Sequence, residues 1–256
     1  MSDTTPRRRF LLGAGTAVAA GLAGELPRAA RADAAAPGAQ AAPAPSDGPP
    51  HAAAPSRRDA AGAPAPEALV LLNETEAAFV TAAVDAFVPA DELSPAGSDC
   101  GIVAFIDRQL ASEWGGGARM YRSGPYHKGK PEQGYQLALT PRQFVQTGIA
   151  EANAWSRAVH GKEFDRLGAV DRVAALKAME EGKAQFQSIA SRAFFNMLLD
   201  LTMEGFFSDP AHGGNRNYAS WRMLGFPGLP ATYADRFEEY RDKRYVAEPR
   251  SMSDFT

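Results

Sequence analysis

Residues 33–66 are almost wholly Ala, Pro, Gly and Ser with a few charges, and no run among them is apolar enough to seed a core. Such a tract cannot bury enough nonpolar surface to offset the entropy of ordering it, so a disordered or polyproline-like linker is expected there. A fold must therefore be built from residues 67–256, which is enough chain for one core of moderate size.

Ahead of this tract, Pro6-Arg7-Arg8-Arg9-Phe10-Leu11-Leu12 places paired arginines before a Gly- and Ala-rich apolar stretch that runs to Leu26. Ala30-Arg31-Ala32 then meets the small-x-small rule of a signal-peptidase site. Arg7, Arg8, Phe10 and Leu11 in that order have the layout of a twin-arginine export signal over residues 1–32. The apolar stretch is short and Gly-rich for a membrane span, and an uncleaved N-terminal anchor is the alternative. The twin-arginine translocase carries folded cargo. The expectation is thus a periplasmic protein that folds, alone or with something bound to it, before export.

The formal net charge is −3, and removal of residues 1–32 leaves 22 basic and 28 acidic side chains. No basic run survives in that remainder, so no nucleic-acid partner is expected. Cys100 is the only cysteine, which excludes an internal disulfide and four-thiolate metal sites. A lone thiol in an oxidising compartment is either buried like a small hydrophobe, the simpler reading, or bridged to another subunit.

The folded part reads as helices. Asn73 and Glu76 form a capping-box pattern ahead of Phe79/Val80, Ala83/Val84 and Phe87/Val88 at helical spacing, with Pro89 as the stop. Ile102, Phe105, Ile106 and Leu110 mark a second helix that ends near Gly115-Gly116-Gly117. Residues 121–136 have no period and read as an irregular loop. Thr140-Pro141-Arg142-Gln143 is a strong helix start, with Gly161 as the stop after His160. Further helices are expected from Val170 to about Glu181 and from Lys183 to Phe206 or Phe207. Residues 232–245, with Phe237, Tyr240 and Arg244 among dense charges, read as a surface helix or an extended arm. Strand patterns are nearly absent. The class is therefore all-α, an irregular domain of about five to seven helices with long loops.

Glu204, Asp209, His212 and Asn215 gather polar chemistry around Gly213-Gly214. A stand-alone enzyme using Glu204, Asp209 and His212 is one reading. Against it, the chain has four histidines and no His-x-x-x-His or Glu-x-x-His pair, no Gly-x-Ser-x-Gly elbow, and no Gly-x-Gly-x-x-Gly turn after a strand. The other reading is a rigid corner: Asp209 and Asn215 fold the turn with their side chains, while Gly213 and Gly214 take backbone angles closed to other residues. Phe206, Phe207, Tyr218, Trp221 and Phe226 would then be a local mini-core or interface anchors.

The run Glu204-Gly205-Phe206-Phe207, then Asp209-Pro210 and Gly213-Gly214-Asn215, then Trp221 ahead of Leu224-Gly225-Phe226-Pro227-Gly228, resembles the small-subunit family of membrane-bound gluconate 2-dehydrogenase, also called subunit 3 or the gamma chain. Val88-Pro89-Ala90-Asp91-Glu92, Ser94-Pro95, the run from Gly101 to Asp107, and Gly124-Pro125 extend the likeness over nearly the whole folded part. The resemblance implies a complex. A large flavoprotein of the glucose-methanol-choline type carries FAD and does the chemistry, and a multi-haem cytochrome c subunit accepts its electrons at the membrane. The small subunit holds no cofactor or metal of its own and exports and stabilises the flavoprotein, whose substrate is a sugar, sugar acid or polyol. A partner-free helical periplasmic protein is the remaining alternative.

Overall fold

The computed structural model describes residues 68–130, 133–230, 232 and 234–255. The export signal and the linker expected over residues 1–66 lie outside the described residues. Among the described residues there are six α-helices: α1 (Glu74–Phe87), α2 (Ile102–Ala111), α3 (Pro141–His160), α4 (Ala169–Glu180), α5 (Ser191–Phe207) and α6 (Ala219–Leu224). Among the described residues the only sheet-like pairing is one bridge between Gly228 and Arg250. The chain is all-α, with long irregular connections.

Local chemistry sets the helix ends. α1 begins in a full capping box: Asn73 Oδ1 accepts from Glu76 N, and Glu76 Oε2 accepts from Asn73 N, each at 3.0 Å. α3 begins the same way on Thr140 and Gln143 with Pro141 at its first turn, and ends at Gly161. The last carbonyls of α2 are satisfied from outside that helix, because Arg142 Nε and Nη2 donate to Leu110 O and Ala111 O at 2.8 and 3.0 Å. This places the end of α2 at Ala111, one turn before the glycine run expected to stop it.

The helix expected from Lys183 starts instead at Ser191. α4 closes in a Schellman turn, in which Lys183 N donates to Ala178 O at 2.8 Å and Gly182 N donates to Met179 O at 3.0 Å. Gln187 N and Ser188 N then donate to the two carboxylate oxygens of Glu151 on α3, at 2.9 and 2.8 Å. Amides held by a carboxylate on another helix cannot enter an i to i−4 ladder. The segment therefore stays irregular until Ala190.

α5 is the central element and packs against α2, α3 and α4. Phe194 on α5 and Phe164, ahead of α4, meet Phe79 of α1, with ring centroids 6.0 and 4.6 Å away, and all three are fully buried. Cys100 is buried, with Sγ 3.7 Å from Pro95 O.

One anchor is polar. Asp107 on α2 is 1 % exposed, and its carboxylate accepts from Val70 N, Leu71 N and Leu72 N at 2.6, 3.0 and 2.8 Å. These bonds pin the segment that enters α1 across the back of α2. Among the described residues no helix is long and apolar enough to cross a membrane.

Candidate functional site

α5 runs directly into the corner Asp209–Asn215, and side chains close its end. A helix leaves its last carbonyls without intrahelical donors. Here Ser208 Oγ donates to Gly205 O at 3.0 Å, Trp221 Nε1 donates to Phe207 O at 3.1 Å, and Asn215 Nδ2 donates to Ser208 O at 3.0 Å. Asn215 is fully buried in a left-handed conformation (φ 45°), which Asn tolerates better than most residues. Its Oδ1 accepts from both Ser220 N (2.9 Å) and Ser220 Oγ (2.8 Å), fixing the first turn of α6. One amide side chain thus ties the end of α5 to the start of α6.

Glycine lets the corner lie flat on its neighbours. A Cβ at Gly214 would stand 2.1 Å from Gly205 O on α5, and a Cβ at Gly101, before α2, would stand 2.3 Å from Gly213 O. Arg216 N donates to Cys100 O at 2.9 Å across the same junction. Asp209 opens the turn Pro210–His212 by accepting from Ala211 N at 2.9 Å.

The five aromatic residues divide by burial. Phe206 and Trp221 are inside, Tyr218 is half-buried, and Phe207 and Phe226 are 41 % and 46 % exposed beside the still more exposed Leu224. Phe226 stands edge-on to Trp221 with centroids 5.1 Å apart. Ser208, Asn215 and Trp221 thus satisfy the corner's own backbone, and an apolar rim is left at the surface.

Glu204 and His212 are exposed, and Asp209 faces a neighbouring segment. Among the described residues, no three His, Cys, Asp or Glu side chains group so as to hold a metal ion. A groove of about 470 Å³ lies elsewhere, between the start of α1 and α3, and is lined by the capping residues Asn73 and Glu76 but by none of the residues of the Glu204–Phe226 motif.

The sequence pattern of gluconate 2-dehydrogenase subunit 3 matches residues 74–228, from the first residue of α1 through the corner to Gly228. The chain belongs to the gluconate 2-dehydrogenase subunit 3 family. No curated protein and no solved structure matches it.

The family match stops before a feature that sequence reasoning missed. The region expected as a surface helix or arm forms one 3-10 turn, Ala234–Arg236, and then further turns, after which the chain comes back to the corner. Leu229 N donates to Arg250 O at 2.9 Å and Arg250 N to Pro227 O at 3.1 Å. Asp209 then accepts from Ser251 Oγ at 2.5 Å and from Met252 N at 3.0 Å, and Tyr218 Oη donates to Asp254 Oδ2 at 2.5 Å. Ser251 and Asp254 form a capping box of their own. That Ser-x-x-Asp spacing was a readable signal, though its partner Asp209 was not.

Partial burial opposes the charge on Asp209. The hydrogen bonds from Ser251, Ala211 and Met252, with the His212 charge, outweigh that opposition and hold the carboxyl below its ordinary range. A lowered folded value means that the clamp contributes fully above the ordinary aspartate value of about 3.9 and is lost as pH falls through the folded value. Amides of residues 250–254 should therefore stay protected at pH 6, begin to loosen below pH ~3.9 and open as the pH falls through the lower folded value, which hydrogen exchange would register. Ser251→Ala should raise exchange at Met252 about fivefold at pH 6, the equivalent of one hydrogen bond worth about 1 kcal/mol. Unchanged protection would mean that Asp209 does not hold the segment.

Proposed function

We propose that this chain is the small, non-catalytic subunit of a periplasmic, membrane-associated dehydrogenase complex, acting as export carrier and stabilising partner of its flavoprotein. The observation that carries the reading is the family match over residues 74–228. That span includes the corner, which buries Asn215 while Phe207, Leu224 and Phe226 stay at the surface. Rigid aromatic anchors on a fixed backbone are what a stable protein interface uses.

In this reading FAD belongs to a flavoprotein of the glucose-methanol-choline type, haem c belongs to a cytochrome subunit, and the substrate is a sugar, sugar acid or polyol bound by the flavoprotein. The small subunit contributes surface and address. Arg7-Arg8 ahead of Phe10-Leu11 supports export by the twin-arginine route, with the flavoprotein carried along as folded cargo.

Replacing Arg7 and Arg8 together by Lys tests the carrier role. Both this chain and the flavoprotein should be retained in the cytoplasm, with periplasmic dehydrogenase activity at background. Active flavoprotein in the periplasm of that strain would contradict the role.

A further inference from the structure

The outer side of α5 carries a row of residues that the fold does not use. Asp200 and Glu204 stand one helical turn apart, Phe207 follows three residues on, and all three are exposed. Neither carboxylate has a hydrogen bond or a cation among the described residues. Some acids of the domain do: Glu163 meets Arg157 at 2.7 Å and Glu181 meets Lys183 at 2.5 Å. Partial burial pushes the carboxyls of Asp200 and Glu204 above the usual range, and for Glu204 the Asp200 charge adds to it. Two like charges at this spacing weaken a helix, so helix stability does not account for the pair.

The row ends at the corner that carries the apolar rim. Phe207 O accepts from Trp221 Nε1, and Phe226 packs against the Trp221 ring. One face of α5 thus carries two unmatched carboxylates and Phe207, and the Phe207 backbone is tied to the Trp221 ring on which the exposed Phe226 packs. Its charge complement is a cation bordered by apolar surface.

We propose that this face of α5, Asp200 and Glu204 with Phe207 and Phe226, is the docking surface for the catalytic flavoprotein, which contributes an arginine between the two carboxylates and an apolar recess over the rings. The proposal rests on the subunit reading given above. An arginine fits better than a lysine because its planar fork can donate to both carboxylates at once. A second copy of the chain fits poorly, since it brings the same acidic row. The neighbouring Arg222 already faces Glu248 at 3.6 Å and the Tyr218 ring at 5.9 Å.

The test co-expresses the affinity-tagged full chain with its cognate flavoprotein and measures flavin recovered per chain, by absorbance, over a salt series. For the wild-type chain, recovery should fall as salt rises. Asp200→Lys with Glu204→Lys should lower recovery about tenfold or more at low salt, because like charges then face each other. Asp200→Asn with Glu204→Gln should give an intermediate loss and a flatter salt dependence. This isosteric pair carries the test if the Lys pair disturbs folding. Glu113→Lys, exposed beyond the end of α2, should leave recovery unchanged.

If the wild-type chain recovers flavin and both charge variants recover it equally well at every salt concentration, this docking surface is wrong while the subunit reading stands. If the wild-type chain recovers no flavin, both readings fall. If the chain alone sediments as a dimer that the Lys pair dissociates, the face serves self-association and the proposal is overturned.

Discussion

Asp107→Ala should lower the stability of the helical domain by about 3 kcal/mol, with a fall in Tm of roughly 10 °C. The carboxylate is buried and serves three backbone amides that have no other acceptor in the structure. An orphaned buried donor costs about 1–3 kcal/mol, and the three are not equal. Val70 is 76 % exposed, so its amide can return to water, whereas Leu72 is 7 % exposed and its amide cannot. The sum therefore falls well short of three full penalties. It is still a large share of the roughly 5–15 kcal/mol that holds a domain of this kind together.

Asp107→Asn separates charge from shape. It can keep one oxygen for Leu71 and Leu72, which share Oδ1, but it turns an amide donor toward Val70 N. About half of the alanine effect should remain. Urea denaturation of the three proteins would measure it. An Ala variant within about 0.5 kcal/mol of the parent, the range of an ordinary surface substitution, would mean that the entry segment is held by its apolar contacts alone.

The second large effect is expected at Asn215. Asn215→Ala removes the donor to Ser208 O and the double acceptor for Ser220, and it puts alanine into a left-handed conformation that costs about 1–2 kcal/mol by itself. The total should approach 3 kcal/mol. It should be spent locally, as loss of α6 and release of the Trp221 indole from Phe207 O. The indole N–H resonance of Trp221 reports this directly. Gly214→Ala should do the same by collision, because Gly205 O and the backbone behind it cannot move away from a Cβ at 2.1 Å. A Trp221 resonance unmoved in both variants would show that the corner is not held by these contacts.

The sequence spoke clearly where structure is local. The caps at Asn73 and Thr140 and the stop at Gly161 depend on neighbours within one turn, and they placed α1 and α3 correctly. The polar roles of Asp209 and Asn215 were legible because Asx turns and left-handed asparagine are also local devices. What failed depended on partners far along the chain. The start of α5 was misplaced because Glu151, 36 residues earlier, takes the amide of Gln187. Asp107 drew notice only as the end of the run from Gly101 that the family shares, because nothing nearby announces that it faces residues 70–72. The return of residues 250–254 was missed because its acceptor, Asp209, lies 42 residues before Ser251. Burial also divided a set that composition could not, leaving Phe206 and Trp221 inside and Phe207 and Phe226 at the rim.

The division of the aromatics matters because the proposed role depends on surface, with the chemistry placed in another polypeptide. A corner whose hydrogen bonds are internal can present Phe207, Leu224 and Phe226 without paying to order them on binding. Hydrogen exchange of the full chain, free and in its purified complex with the flavoprotein, tests this most directly. The account predicts that complex formation slows exchange over residues 200–228, with little change at the far groove between α1 and α3. Unchanged exchange across residues 200–228 in a complex that does form, or no complex at all, would contradict it.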